Sequence, residues 1–202
     1  MFGVLLGIIY ISFISLGLPD ALLGSGWPII HEELNVPVSS AGIVSMIITI
    51  GTIISSFFSD KVIRKFGTGL VTAISVAMTA FALFGFSVSS HFWMLCLFSI
   101  PYGLGAGSVD AALNNFVALH YKARHMSWLH CFWGVGASLG PVIMGQCLIN
   151  GKHWTLGYEI VSFLQFGLSV ILFCSLFLWK KFDSSNNENK ENYKNISLIE
   201  LL

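Results

Sequence analysis

The sequence predicts an all-α membrane protein with six transmembrane helices, and three observations lead there. Hydrophobic residues fill 55% of the 202 positions and charged residues only 10%, whereas soluble domains carry roughly 25% charged residues. Six apolar stretches are each long enough to cross a ~30 Å hydrocarbon core at about 1.5 Å per helical residue. The basic residues gather in alternate connections between those stretches, as in a chain that threads back and forth through a bilayer.

Span one is expected from Phe2 to Trp27. It lacks a basic start and is too long for the apolar centre of a cleaved signal peptide, so it is read as a retained helix. Span two is expected from Ser40 to Phe58, and the charged run that begins at Asp60 marks its end. Span three, Gly69 to Val88, contains no acidic or basic residue. Span four runs from Phe92 to Val117, span five from Ser127 to Ile149 and span six from Gly157 to Trp179. Short loops make neighbouring spans antiparallel. His31, Glu32 and Glu33 fall in an outer loop, and Glu159 at the start of span six is read as solvated. From Asp183 to Asn195 the chain turns to Ser, Asn, Glu and Lys, a composition that cannot bury a core. The expected organisation is a six-helix membrane domain over residues 1–181 and a polar cytoplasmic linker or tail over 182–202.

Orientation follows from the basic residues, because Lys and Arg in short loops stay on the cytoplasmic side. Lys61, Arg64, Lys65, Lys122, Arg124, Lys180, Lys181, Lys190 and Lys194 share one side, and only Lys152 falls on the other. Both termini are therefore expected in the cytoplasm of a multi-pass protein of the cell membrane. Trp27, Trp93 and Trp154 mark outer ends and Trp128 and Trp179 inner ones, while Trp133 lies unexpectedly inside span five.

Composition also excludes. Ten basic residues balance ten acidic ones, and no run is dense enough to track phosphates, so nucleic acid is not an expected partner. Cys96, Cys131, Cys147 and Cys174 fall in apolar stretches without CxxC pairing and read as small packing residues. No loop gathers a nucleophile with its base, so neither catalytic residues nor an enzyme is expected, and no metal or cofactor.

Two acids stand against this background. Asp20 and Asp110 each lie eighteen residues into an apolar run, and a carboxylate at membrane depth costs roughly 2.5 to 3.5 kcal/mol on insertion scales. The default role of such a residue is in a substrate, ion or proton site. Low-dielectric surroundings favour the neutral form of a carboxyl and water reaching it from one side favours the ionised form, which is what proton coupling needs. Opposite displacement from the midplane puts the two acids about 15 Å apart in depth at 1.5 Å per residue, as two stations rather than one dyad. His130, near the inner end of span five, is placed to reach Asp110, and an imidazole is a side chain suited to proton traffic. Gly136 and Gly140, four apart, allow close helix packing, and Pro141 allows a bend. Asn114, Asn115 and Gln146 are suited to sugar hydroxyls and Trp27 or Trp133 to a sugar face; helix packing or interfacial anchoring suits each equally.

The segment Ser-Phe-Phe-Ser-Asp60-Lys61-Val-Ile-Arg64-Lys65-Phe-Gly67 resembles the loop signature between spans two and three of the major facilitator superfamily. Asp60, Lys61, Arg64 and Lys65 match that conformational-gating loop, while Ser56 and Ile63 stand where the family usually has glycine. Two further segments, Gly17-Leu-Pro-Asp20-Ala-Leu-Leu-Gly-Ser-Gly-Trp27-Pro28 and Gly103-Leu-Gly-Ala-Gly107-Ser-Val-Asp110-Ala-Ala-Leu-Asn114-Asn115-Phe116-Val117, are similar to the acid-bearing first and fourth spans of the fucose permease group. Asp20 and Asp110 then match the two membrane acids of those proton–sugar symporters. Asp110 replaces the Glu of the fucose carriers, and Asn115 replaces a proline.

The resemblance implies one half of a major facilitator fold, arranged as a 3+3 inverted repeat in which spans one and four are counterparts. Asp-Ala-Leu-Leu after Leu18-Pro19 and Asp-Ala-Ala-Leu after Val109 agree with that pairing. It implies that spans one, two, four and five face a cavity, that three and six lie outside, and that the chain is an amino-terminal half. The expected partners are a small-molecule solute, protons, the lipid bilayer and a second six-helix half: its own carboxy-terminal half, a separate chain or a second copy. The expected function is secondary transport of a small polar solute, a sugar with proton symport. The alternatives are an efflux or antiport carrier of drugs or metabolites, and a truncated membrane subunit inactive alone.

Overall fold

Apolar content organises every helix of the computed structural model, which describes residues 2–179. Helix α1 covers Phe2–Asp20 and α2 Leu22–Glu33; after a 3₁₀ turn at Val38–Ser40, α3 covers Ala41–Phe66. Helices α4, α5, α6 and α7 cover Thr68–Ser87, Phe92–His120, Ala123–Ile149 and Trp154–Cys174. Together α1 and α2 make one span, and among the described residues six spans are long and apolar enough to cross a membrane. The expected tail at 182–202 lies outside the described residues, as do Lys180, Lys181, Lys190 and Lys194.

The helices outrun the apolar stretches. Asp60, Lys61, Arg64 and Lys65 are not in a loop but on the last turns of α3, which ends at Gly67. Hydropathy marks where hydrocarbon stops; backbone hydrogen bonding continues into water when the side chains support it. Arg64 pairs with Asp60 one turn away at 2.5 Å, and cations at a helix C-terminus oppose its dipole favourably. Gly67 takes φ 81°, a left-handed value that favours glycine, and it alone connects α3 to α4. His31, Glu32 and Glu33 likewise form the last turn of α2 rather than a loop.

Helix α1 packs on α6, α3 on α5, and α4 against both α5 and α7. The two pairs α1–α6 and α3–α5 join spans one with five and four with two, which are equivalent pairs in a 3+3 inverted repeat. Both are built by small residues. Side-chain carbon on Gly136 or Gly140 would run into the carbonyls of Ile14 and Leu18, and on Gly17 into the carbonyl of Trp133. In the other pair, carbon on Gly103 would meet the Ile48 carbonyl and on Gly107 the Thr52 carbonyl. Gly17 and Gly107 each precede a membrane acid by three residues, so the repeat extends beyond the four-residue match.

Two apolar clusters fill the interior. One, toward the basic end, joins Phe13, Val76, Leu113, Phe116, Leu172 and Trp179; the other joins Trp27, Ile30, Leu83, Phe86, Trp154 and Tyr158 at the far end. Helix α4 contributes to both, which explains its freedom from charge. Trp27 is buried there and donates its Nε1–H to the Val38 carbonyl at 2.7 Å, so it holds the α2–α3 connection. Of the four cysteines, only Cys147 is buried; Cys131 and Cys174 are exposed on the bundle surface. The packing role expected of all four therefore fails for those two, because their helix faces have no covering neighbour.

Candidate solute and proton site

The first span breaks at its acid. Pro19 has no N–H, so the carbonyl of Ser15 loses its helical partner, and α1 ends at Asp20. Ala21 forms the turn before α2 begins at Leu22. The ends of α5 and α6 do not supply partners for the Asp20 carboxylate; mid-helix residues do. Oδ1 accepts from the Tyr102 hydroxyl at 3.0 Å and Oδ2 from the Trp133 Nε1–H at 2.9 Å. Both donors are neutral, and Asp20 itself faces the open side of the bundle. A cavity of about 350 Å³ adjoins it, lined also by Gly24, Ser45, Thr49, Phe86, Tyr102 and Tyr158.

Asp110 has its own partners. Asn114, one turn on, donates Nδ2–H at 2.9 Å, while the Asn114 Oδ1 is enclosed without a hydrogen bond. His130 lies within electrostatic reach of Asp110 without a hydrogen bond to it, and its ring meets Phe13 edge-on at 6.1 Å. Asp110 also lies within electrostatic reach of Asp20. Trp133 and His130, which serve one acid each, are three residues apart on α6, a rise of about 4.5 Å. On α5 the Asp20 partner Tyr102 and Asp110 lie eight residues apart, a rise of about 12 Å, so the two acids remain separate stations. Each carboxylate keeps separate donors, Tyr102 and Trp133 for Asp20 and Asn114 for Asp110.

The remaining expected residues lie apart from this centre. Asp60 and Arg64 form an exposed pair; Lys61 stands 5.8 Å over the Phe58 ring and Lys65 5.3 Å over Phe66. Gly136, Gly140 and Pro141 lie along α6, the two glycines against α1. Asn115 is exposed, and Gln146 lines a separate groove between α6 and α7. Among the described residues no group of three or more His, Cys, Asp and Glu is placed to hold a metal.

Sequence reasoning missed Tyr102, which carried no charge to draw attention, and the donor role of Trp133. The second had a signal: an indole inside a span, away from either interface, needs a buried acceptor. Also missed was a junction at the far end, where Glu33 accepts from Trp154 Nε1–H at 2.7 Å and meets His153 Nε2 at 2.8 Å.

A family model described as Major Facilitator Superfamily matches residues 9–201. The chain belongs to the major facilitator superfamily. It is 22% identical over 185 residues to the glucose/mannose transporter GlcP of Bacillus subtilis, covering 91% of this chain and 44% of that protein. It is 26% identical over 170 residues to the quinolone resistance protein NorA of Staphylococcus aureus, covering 81% of this chain and 42% of the relative. A third relative, synaptic vesicle glycoprotein 2C of Rattus norvegicus, is 26% identical over 169 residues, 78% of this chain and 23% of that protein. The chain thus spans less than half the length of these curated relatives. Superfamily membership and six apolar helices make it a multi-pass membrane protein of a transporter family rather than an enzyme family. One relative is named for sugars and another for drug resistance, so the names do not single out the fucose permease group.

Proposed function

We propose that this chain supplies six helices of a secondary active transporter for a small polar solute, a sugar carried with protons. The observation that carries the reading is Asp20: a carboxylate at a helix break, held by Tyr102 and Trp133 from two other helices, at the wall of a cavity. A carboxylate can accept from sugar hydroxyls, the Phe86 ring offers an apolar face, and Ser45 and Thr49 add hydroxyls nearby. Asp110, with Asn114 and His130, is the proton station, and Asp60, Lys61, Arg64 and Lys65 the gating element at the cytoplasmic face.

A second six-helix half completes the carrier in the cell membrane, with both ends of the six-span unit in the cytoplasm. Its fit is supported by the uncovered apolar surfaces of α3 and α6, where Phe57 is 79%, Ile53 63% and Val142 56% exposed. The similarity to a glucose/mannose transporter is consistent with a sugar.

Reconstitution tests this. The chain, alone and co-expressed with a candidate second half, is placed in proteoliposomes and offered labelled hexoses under an imposed proton gradient. Gradient-driven uptake by the pair is expected; folded protein with no uptake in either preparation overturns the proposal. Asp110→Asn is expected to abolish uptake driven by the gradient while leaving sugar counterflow, and loss of both would assign Asp110 to solute binding instead. The apolar share of the cavity wall, Leu23, Ile48, Leu83 and Phe86, favours a second reading, efflux of an apolar drug. Saturable binding of a quinolone with no hexose binding would select it.

A further inference from the structure

The carbonyl that Pro19 strips of its partner is not left bare. Gln165, in the middle of α7, donates its Nε2–H to the Ser15 carbonyl at 2.8 Å. Thr79, in α4, donates its hydroxyl to Gln165 Oε1 at 2.6 Å. The amide has only one orientation that works: a carbonyl can only accept, so nitrogen must face Ser15 and oxygen must face Thr79. Both side chains are buried, Gln165 at 2% exposure and Thr79 at 3%. An amide is costly to bury unless it is hydrogen-bonded, and apolar contact would have served α7 there. Gln165 of span six, bonded by Thr79 of span three, thus meets the backbone of span one just before its break.

We propose that Gln165, held by Thr79, is a positioning residue for Asp20. It supplies from outside the helix the bond that Pro19 removes, and so fixes the direction in which α1 delivers Asp20 to Tyr102 and Trp133. Gly17, between Ser15 and Asp20, lies against the Trp133 and Ala137 backbone and sets the distance to α6; Gln165 sets the tilt. The inference builds on the proposed role of Asp20, but its test reads geometry rather than transport.

The probe is the Trp133 indole itself. Protein with ¹⁵N-labelled tryptophan in detergent micelles gives one indole N–H signal for each of its six tryptophans. Trp133→Phe identifies the relevant one, and Asp20→Asn gives its position without the carboxylate. Gln165→Leu is expected to move the Trp133 signal toward its Asp20→Asn position while the Trp27 and Trp154 signals stay in place. In a Pro19→Ala background residue 19 regains its N–H and bonds Ser15 itself, so Gln165→Leu should then leave the Trp133 signal unmoved. Thr79→Val, which frees Gln165 to turn, should give a smaller shift in the same direction, and it decides the matter if Gln165→Leu does not fold.

An unmoved Trp133 signal in Gln165→Leu, or an equal shift in both backgrounds, overturns the proposal. So does an unmoved signal in Thr79→Val when that variant alone is readable. Absent uptake with the expected indole shifts would sink the transport reading and leave the positioning role standing.

Discussion

Asp20 accepts from two donors that come from different helices, so it reports on the relative placement of α1, α5 and α6 at once. A hydrogen bond to a charged group contributes about 1.5–3 kcal/mol. If Asp20 binds solute, Trp133→Phe should weaken half-saturation in counterflow by about tenfold to a hundredfold, because the freed carboxylate oxygen no longer has a fixed direction. A change under twofold would remove Trp133 from the site. At this scale the acids were legible in the sequence because charge is conspicuous in an apolar run. Their neutral partners were not: Tyr102 reads as one more ring inside an apolar span, and Gln165 looks like any polar residue in a span until its contacts with Ser15 and Thr79 are known.

At the scale of elements, the pairs α1–α6 and α3–α5 stand on backbone contact. A methyl on Gly136 would collide with the Ile14 carbonyl, whereas one on Gly134, two residues earlier, would meet nothing within 4 Å. Gly136→Ala is therefore expected to destabilise by about 1–3 kcal/mol, as overpacking does, and to lower the thermal midpoint in detergent. Gly134→Ala should leave that midpoint unchanged or slightly raised, since alanine favours the helix. Equal midpoints for the two variants would contradict the close approach. The existence of six spans followed from hydropathy, but their ends did not. Residues such as Arg64 and Glu33 are helical because a hydrogen-bonded helix persists past the bilayer edge, where charge is no longer penalised. The division of span one at Ala21 had one visible cue, Pro19 beside a membrane acid.

The whole molecule has a basic end and a far end, and the orientation expected from its lysines and arginines can be read directly. In a variant without native cysteines, Lys152→Cys should react with an impermeant maleimide applied outside intact cells. Lys61→Cys should react only after permeabilisation, and the reverse pattern would invert the topology. The expected polarity rests on counts of basic residues at the span ends; the surface proposed to meet a second half has no comparable mark in the sequence. Gly67 has a mechanical consequence at this scale. A connection of one residue leaves little slack between the Asp60–Arg64 end of α3 and the start of α4. Helix α4 is in turn packed between α5 and α7, with Gly69 seated on the Trp179 side chain. If Asp60 and Arg64 gate as proposed, the charged tip of α3 is the short arm of a crank whose bearing is a single glycine.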